Sequence, residues 1–133
     1  MNALAANGSG DRSGAGGSRF PRGVRLLRHA DFERVYKQGR RHFAAHMTVF
    51  YLPSQKAESG RVGFTVSKVL GSAVVRNRMK RRLREAVRLH GMISAAMDVV
   101  INPKKSLLTA QFVDLQREIR RAFAVIEKSA GKP

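Results

Sequence analysis

The chain has 133 residues, with 26 Lys and Arg against 9 Asp and Glu, a net charge of +17 and 43% hydrophobic residues. This length favours one domain with its own core, and the absence of cysteine excludes disulfides, thiolate metal sites and cysteine nucleophiles. Because so large an excess of one sign repels itself, we expect a polyanionic partner, either nucleic acid or an anionic membrane surface.

The two ends of the chain differ in composition from its middle. Residues 1–20 are rich in Gly and Ser and predict a flexible tail, a single domain is expected over residues 21–128, and residues 129–133 are expected to be disordered. The apolar runs are far shorter than the ~18 residues of a membrane span, and the N-terminus lacks the apolar segment of a secretory signal. We therefore expect a cytoplasmic protein.

A first helix is predicted from about residue 28 to Gly39. Asp31 lies in its first turn, where a carboxylate suits the helix dipole. Phe32, Val35 and Tyr36 recur at i, i+3 and i+4. This spacing is typical of a stripe that faces the core, although the two rings could also offer a stacking surface to a base.

Residues 40–52 are rich in β-formers and end at Pro53, so they predict one long bent strand or two short ones. Alternation puts two sets of side chains on opposite faces, Met47, Val49 and Tyr51 on one and Thr48, Phe50 and Leu52 on the other. Residues 61–67 predict the next strand, with Val62, Phe64 and Val66 inward. Its other face carries Gly63, Thr65 and Ser67, and is either thinly covered or open to a single-stranded ligand.

A long helix is predicted from Ala73 to about His90, with Ser72 as its N-cap and Gly91 as its stop. Its apolar stripe is narrow and consists of Val75, Met79, Leu83 and either Ala86 or Val87.

The C-terminal part predicts a buried strand over residues 98–101 and a final core helix. In that helix the apolar residues recur at helical spacing: Leu108, Phe112, Leu115, Ile119, Phe123 and Ile126. The predicted fold class is α+β, a small sandwich with the order α-β-β-β-α-β-α, in which strands 61–67 and 98–101 could lie parallel.

The segment between Arg76 and Arg88 carries seven basic residues in thirteen, with Glu85 as its only acid. Like charges recur every four residues at Arg76, Lys80, Arg84 and Arg88. Their repulsion lowers the stability of the helix by a few tenths of a kcal/mol per pair. Arginine predominates, which favours bidentate phosphate contacts and base stacking. The narrow apolar stripe disfavours a membrane-surface helix, so the segment predicts nucleic-acid binding.

Two stretches in the middle of the chain resemble a known family. Phe64-Thr-Val-Ser-Lys68 and the residues from Gly71 to Glu85 are similar to the signature of the bacterial ribonuclease P protein component, in which an Arg-Asn-Arg element opens a basic helix after a strand. Further similarity lies in Phe32 to Gly39, in Val49 to Leu52 and in the strand that precedes Pro103.

The resemblance implies a monomeric protein that forms a 1:1 complex with a catalytic RNA and assists removal of the 5′ leader from precursor tRNA. The RNA and Mg²⁺, bound mainly by that RNA, would perform the chemistry, so no protein residue is expected to be catalytic and no organic cofactor is expected. The family fold also implies a left-handed crossover between the parallel strands, against the usual hand.

The resemblance also implies two sets of binding residues. Residues expected to contact the RNA subunit are Lys68, Arg76, Asn77, Arg78, Lys80, Arg81, Arg82, Arg84 and Arg88. Residues expected to contact the leader, in a cleft between the first helix and the sheet, are Phe32, Tyr36, Phe50, Thr65, Lys80 and Arg84.

Two other functions compete with this one. A ribosomal or other structural RNA-binding protein would account equally well for the basic helix. A nuclease could use one of the histidines, His29, His42, His46 or His90, as its acid or base. His42 and His46 would lie ~13 Å apart along a strand, too far to share a metal, and we expect scattered histidines without a catalytic role.

Overall fold

The computed structural model describes residues 29–54, 60–91, 93 and 95–130. The helices are α1 (His29–Gln38), α2 (Ala73–His90) and α3 (Phe112–Ala130), and the strands are β1 (Arg40–Phe43), β2 (Met47–Pro53), β3 (Arg61–Phe64) and β4 (Met97–Pro103). Short 3₁₀ turns cover Lys68–Leu70 and Lys105–Leu108. The predicted tail at residues 1–20 lies outside the described residues, and α3 runs into the predicted C-terminal end as far as Ala130.

The four strands form one mixed sheet in the order β1-β2-β4-β3. β1 pairs with β2 and β2 with β4 in antiparallel fashion, whereas β3 and β4 are parallel. The α+β class, the order of elements and the parallel pairing of β3 with β4 are therefore confirmed. Residues 40–52 form two strands, β1 and β2, because the chain turns after Phe43 and pairs back on itself.

Local signals fix the bounds of α2 as predicted. The Ser72 hydroxyl accepts a hydrogen bond from the Val75 amide at 3.3 Å, and the Gly91 amide donates to the Val87 carbonyl at 2.9 Å. Gly91 adopts a φ of 97°, which favours glycine, so the helix stops there.

The two faces of the sheet carry different helices. One face packs against α2 and α3 through the main core, which includes Val49, Phe64, Leu83 and Phe123. The other face carries α1, whose Phe32 and Val35 pack against Val100 of β4, with Tyr36, Phe50 and Leu52 at the edge of this smaller cluster. The alternation predicted for β2 is thus confirmed, since Val49 and Phe50 serve different clusters.

The start of the last helix differs from its prediction. Leu108 lies in the second 3₁₀ turn, and α3 begins only at Phe112. The turn is closed by the Thr109 and Ala110 amides, which both donate to the Ser106 carbonyl, and it inserts Leu107 into the core in place of Leu108. Leu108 keeps the helical spacing by coincidence, which is why periodicity alone placed it in the helix.

Candidate nucleic-acid interface

The exposed side of α2 presents a row of cationic side chains. Arg78, Arg81 and Arg88 are exposed, as is Asn77 between Arg76 and Arg78, and Arg76 and Arg84 are half-buried. Lys68 is exposed on the 3₁₀ turn that leads into the helix. Within this row Arg88 is paired with Glu85 at 2.5 Å, an ion pair that holds the pKa of Glu85 below its ordinary value. We call Lys68, Arg76, Asn77, Arg78, Arg81, Arg84 and Arg88 the α2 surface.

Arg76 holds two donors that have no hydrogen-bond partner among the described residues. Its Nε and Nη1 atoms are shielded from solvent, whereas the residue as a whole is only half-buried. A shielded donor without an acceptor costs about 1–3 kcal/mol. An incoming phosphate oxygen would supply that acceptor, so the site is better matched to a bound anion than to the free state.

Lys80 does not belong to the exposed row. Its side chain is only 2% exposed, because position 80 follows the buried Met79 and lies on the flank of the helix that faces the core. The structure thus places Lys80 in a buried position, and its expected contact with RNA stays a prediction. Its charge lies beneath the α2 surface.

The Arg82 side chain also lies outside the exposed row, because its guanidinium group contacts the turn before α3. Its Nη1 donates to the Leu107 and Leu108 carbonyls at 2.5 and 3.2 Å, and its Nη2 donates to the Ala110 carbonyl at 2.6 Å. The Leu107 and Leu108 carbonyls belong to the 3₁₀ turn before α3 and the Ala110 carbonyl follows that turn, and such orphan acceptors need donors. Arg82 thus joins α2 to the start of α3, and its expected contact with the RNA subunit stays a prediction.

The opposite face of the sheet carries an aromatic pair beside α1. The Tyr36 and Phe50 rings meet edge to face, with centroids 4.9 Å apart and planes at 87°. The Tyr36 hydroxyl donates to Asn102 Oδ1 at 2.8 Å, and burial raises the pKa of the phenol from its ordinary value. Thr65 Oγ1 lies beside this phenol but makes no hydrogen bond of standard geometry, which leaves Asn102 as the anchor.

The rings of this face are not equally accessible. Tyr36, Phe50 and Thr65 are half-buried, whereas Phe32 is only 2% exposed and packs on Val35 and Val100. The ring of Phe32 fills the space between α1 and the sheet, and its expected contact with a leader stays a prediction. Lys80 and Arg84 were expected near these rings as well. Both belong to α2, which packs on the other face, and a leader contact by Arg84 stays a prediction.

A buried ionic network fixes α1 to the sheet. Asp98 of β4 is fully buried and accepts hydrogen bonds from Arg61 Nε and Nη2, both at 2.9 Å, and from Arg34 Nη2 at 2.5 Å. Asp31 lies 3.8 Å from Arg34 and 3.6 Å from Arg61, and it is 3% exposed. These contacts raise the pKa of Arg61. From its place in the sequence Asp31 is expected only to suit the helix dipole, and the one local signal of the network is an acid in the apolar run 98–101.

The histidines occupy separate environments. His29 lies 3.5 Å from Glu33, His90 meets the Phe123 ring edge to face, and His46 contacts Ser106 and Glu118. His42 lies in β1 and His46 in the turn after it, so the two do not share the single strand assumed from the sequence.

The acidic and histidine side chains in the described part of the chain form no group of three that could hold a metal ion. The two buried carboxylates, Asp31 and Asp98, are already neutralised by Arg34 and Arg61. A resident Mg²⁺ site made from protein ligands alone therefore does not fit these residues. Among the same residues no helix is both long and apolar enough to cross a membrane.

Comparison with known proteins identifies the relatives of this chain. The family model for Ribonuclease P matches residues 20–127. The ribonuclease P protein component of Geobacter sp. (strain M21) is 37% identical over 111 residues, which cover 84% of this chain and 95% of that protein. The corresponding protein of Clostridioides difficile (strain 630) is 37% identical over 103 residues, covering 76% of this chain and 90% of that one.

Solved structures show the same similarity. The ribonuclease P protein of Staphylococcus aureus superposes with a TM-score of 0.68 at 27% identity, covering 78% of this chain and 95% of that chain. That of Thermotoga maritima superposes with a TM-score of 0.65 at 26% identity, covering 74% and 94% of the two chains.

Proposed function

The chain belongs to the ribonuclease P protein family, and from that premise we propose how its two faces serve the ribonucleoprotein. It is the protein subunit of an endoribonuclease that removes the 5′ leader of precursor tRNA, and catalysis is by the RNA. One observation carries the assignment of faces. The sheet lies between the arginine-rich α2 surface and the half-buried rings beside α1.

In this proposal the α2 surface binds the catalytic RNA. Arginine guanidinium groups suit the two oxygens of a phosphate, and the shielded donors of Arg76 lack an acceptor until one arrives. The like charges on neighbouring turns of α2 repel each other in the free protein, and phosphates between them would relieve that repulsion. Asn77 is exposed between Arg76 and Arg78 and can reach a base edge or a sugar hydroxyl.

The single-stranded leader of precursor tRNA lies, in the same proposal, on the α1 face. Tyr36 and Phe50 keep part of their rings open to solvent, and aromatic side chains bind unpaired bases by stacking. The Tyr36–Asn102 hydrogen bond fixes one ring, and the Asp98 network fixes α1 above the sheet. A ligand would therefore meet a preorganised platform, which reduces the ordering cost of binding.

Magnesium enters this proposal as an ion held mainly by the RNA subunit, where it would supply the activated water and stabilise the leaving oxygen. The protein's own contribution is electrostatic. Its excess of 17 positive charges lowers the repulsion between two RNA molecules, so less magnesium is needed to hold them together. We also propose that one protein copy binds one RNA, and that the complex acts in the cytoplasm.

Reconstitution tests the function. Precursor tRNA is incubated at low magnesium with the protein alone, with the matching catalytic RNA alone, and with both. We expect cleavage at the 5′ end of the tRNA only with both, because the RNA supplies the chemistry and the protein the charge compensation. Cleavage by the protein alone would indicate a nuclease. Recovery of ribosomal RNA, instead of one large catalytic RNA, with the purified protein would favour the ribosomal alternative.

A further inference from the structure

The outer strand β1 extends the face that carries the aromatic pair. α1 packs on β2 and β4, while β1 lies on the far side of β2 as an edge strand. In the β1–β2 register Arg41 lies opposite Phe50 and Phe43 lies opposite Thr48. Directly opposite residues of an antiparallel pair share a face, so Arg41 and Phe43 belong to the face of the Tyr36–Phe50 pair.

Arg41 is placed directly against the aromatic pair. The centre of its guanidinium group lies 5.7 Å from the centroid of the Phe50 ring, which is a cation–π distance, and the residue is exposed. The same side chain therefore contacts the ring on one side and remains open to a phosphate or a base on the other. It continues the row of contacting side chains from Tyr36 through Phe50 towards the edge of the sheet.

Phe43 is the most exposed Phe or Tyr ring in the described part of the chain, at 67%. It takes part in neither apolar cluster, so core packing gives no reason for an aromatic ring at this position. Residues two apart on a strand stand about 7 Å from each other on one face. Arg41 and Phe43 thus place a cation and an open ring side by side, the combination that proteins use to bind single-stranded nucleic acid.

Phe43 also borders a cavity of about 470 Å³ between the β1–β2 turn and α3. On the α3 side of that cavity Arg117 pairs with Asp114 at 3.2 Å and Glu118 faces His46 at 3.7 Å, while Arg121 is exposed at its border. A polyanion therefore finds positive charge on both sides of Phe43, and the charge next to the aromatic pair is that of Arg41.

We propose that the single-stranded leader continues from the Tyr36–Phe50 pair outward over β1, where Arg41 contacts a phosphate and Phe43 stacks on a base. This inference rests on the proposed function, because it extends the leader platform and adds two residues to it. Only leaders long enough to pass Phe50 can reach Phe43. The contribution of Phe43 to substrate affinity must therefore depend on leader length.

The test uses the reconstituted ribonucleoprotein and precursor tRNAs whose leaders are shortened stepwise to none. We expect Phe43→Ala to weaken binding of the longest leaders about 5- to 100-fold, the range of one lost base stack, and to leave the leaderless tRNA unchanged. Phe43→Tyr keeps a ring and should retain wild-type affinity. Arg41→Gln should flatten the salt dependence by about one unit for long leaders only.

Val113→Ala is the matched control, because Val113 is also an exposed apolar side chain, at 51%, but lies on α3. The inference is overturned if Phe43→Ala behaves like this control, or if it weakens leaderless and leader-bearing substrates equally. In both cases the proposed function would still be supported if the wild-type complex binds leader-bearing precursor tRNA more tightly than leaderless tRNA. If the wild-type complex itself shows no preference for a leader, the leader assignment fails and this inference fails with it.

Discussion

At the scale of single residues, two adjacent arginines of α2 have different roles. Arg81 is exposed on the α2 surface, whereas Arg82 donates three hydrogen bonds to carbonyls of the turn before α3. We predict that Arg82→Gln lowers the free energy of unfolding by about 2 kcal/mol, since charged hydrogen bonds are lost and buried carbonyls are left unpaired. Arg81→Gln should change stability by less than about 0.5 kcal/mol. Urea unfolding of both variants measures the difference.

The same pair separates stability from RNA binding. Arg81→Gln should weaken binding of the RNA subunit and reduce the slope of log K against log salt by about one unit, as expected for one lost phosphate contact. Arg82→Gln should keep the wild-type slope at temperatures where it is folded. An unchanged slope in Arg81→Gln together with a reduced slope in Arg82→Gln would show that the two roles have been interchanged.

The sequence identified the cationic segment but not the direction of each side chain in it. The spacing of apolar residues along a helix predicts its buried side, but with an error of about one residue at each edge of that side. Lys80 lies at such an edge, next to the buried Met79. Arg82 depends on a turn that is 25 residues away along the chain. Phe32 could be read either as core or as stacking surface, and only the packing of α1 on Val100 decides between them.

At the scale of elements, the placement of α1 depends on a buried carboxylate. Asp98 accepts three hydrogen bonds from Arg34 and Arg61 and is fully buried. We predict that Asp98→Asn destabilises the protein by about 3 kcal/mol, because two guanidinium groups lose their principal counter-charge in a shielded site. Loss of α1 anchoring should also reduce the affinity for leader-bearing substrate more than that for leaderless tRNA.

Asp114→Asn is the control for this prediction. Asp114 pairs with Arg117 at 3.2 Å, but both side chains are substantially exposed, at 39% and 54%. Exposed pairs contribute about 0–1 kcal/mol, so denaturant unfolding of Asp114→Asn should nearly match wild type. Equal losses in the two variants would mean that the Asp98 network does not hold α1.

Sequence signals predicted the elements where the signals are local. Ser72 and Gly91 gave the bounds of α2, and the alternation of residues 47–52 gave both faces of β2. The Asp98 network could not be predicted in this way, because its partners lie 37 and 64 residues away along the chain. The start of α3 was misplaced because a 3₁₀ turn can carry the same apolar spacing as a helix.

At the scale of the whole molecule, the sheet lies between the two surfaces that we propose bind RNA. The charge on α2 is almost entirely positive, with seven basic residues and one acid. This helix packs on the face of the sheet opposite α1. The half-buried rings and Arg41 lie on the α1 face. A protein of this design can hold a large folded RNA through phosphates on one side and an unpaired strand through stacking on the other. The affinity for the RNA subunit and the affinity for the leader should therefore change separately on mutation.

The most direct measurement compares Arg78→Ala and Phe50→Ala in two binding assays, one for the RNA subunit and one for precursor tRNA with and without its leader. We predict that Arg78→Ala weakens RNA-subunit binding and keeps the preference for leader-bearing substrate once the complex is saturated. Phe50→Ala should keep RNA-subunit affinity and lose that preference, with Phe50→Tyr as the variant that retains it. Proportional losses in both assays by both variants would contradict the division of the molecule into two binding faces.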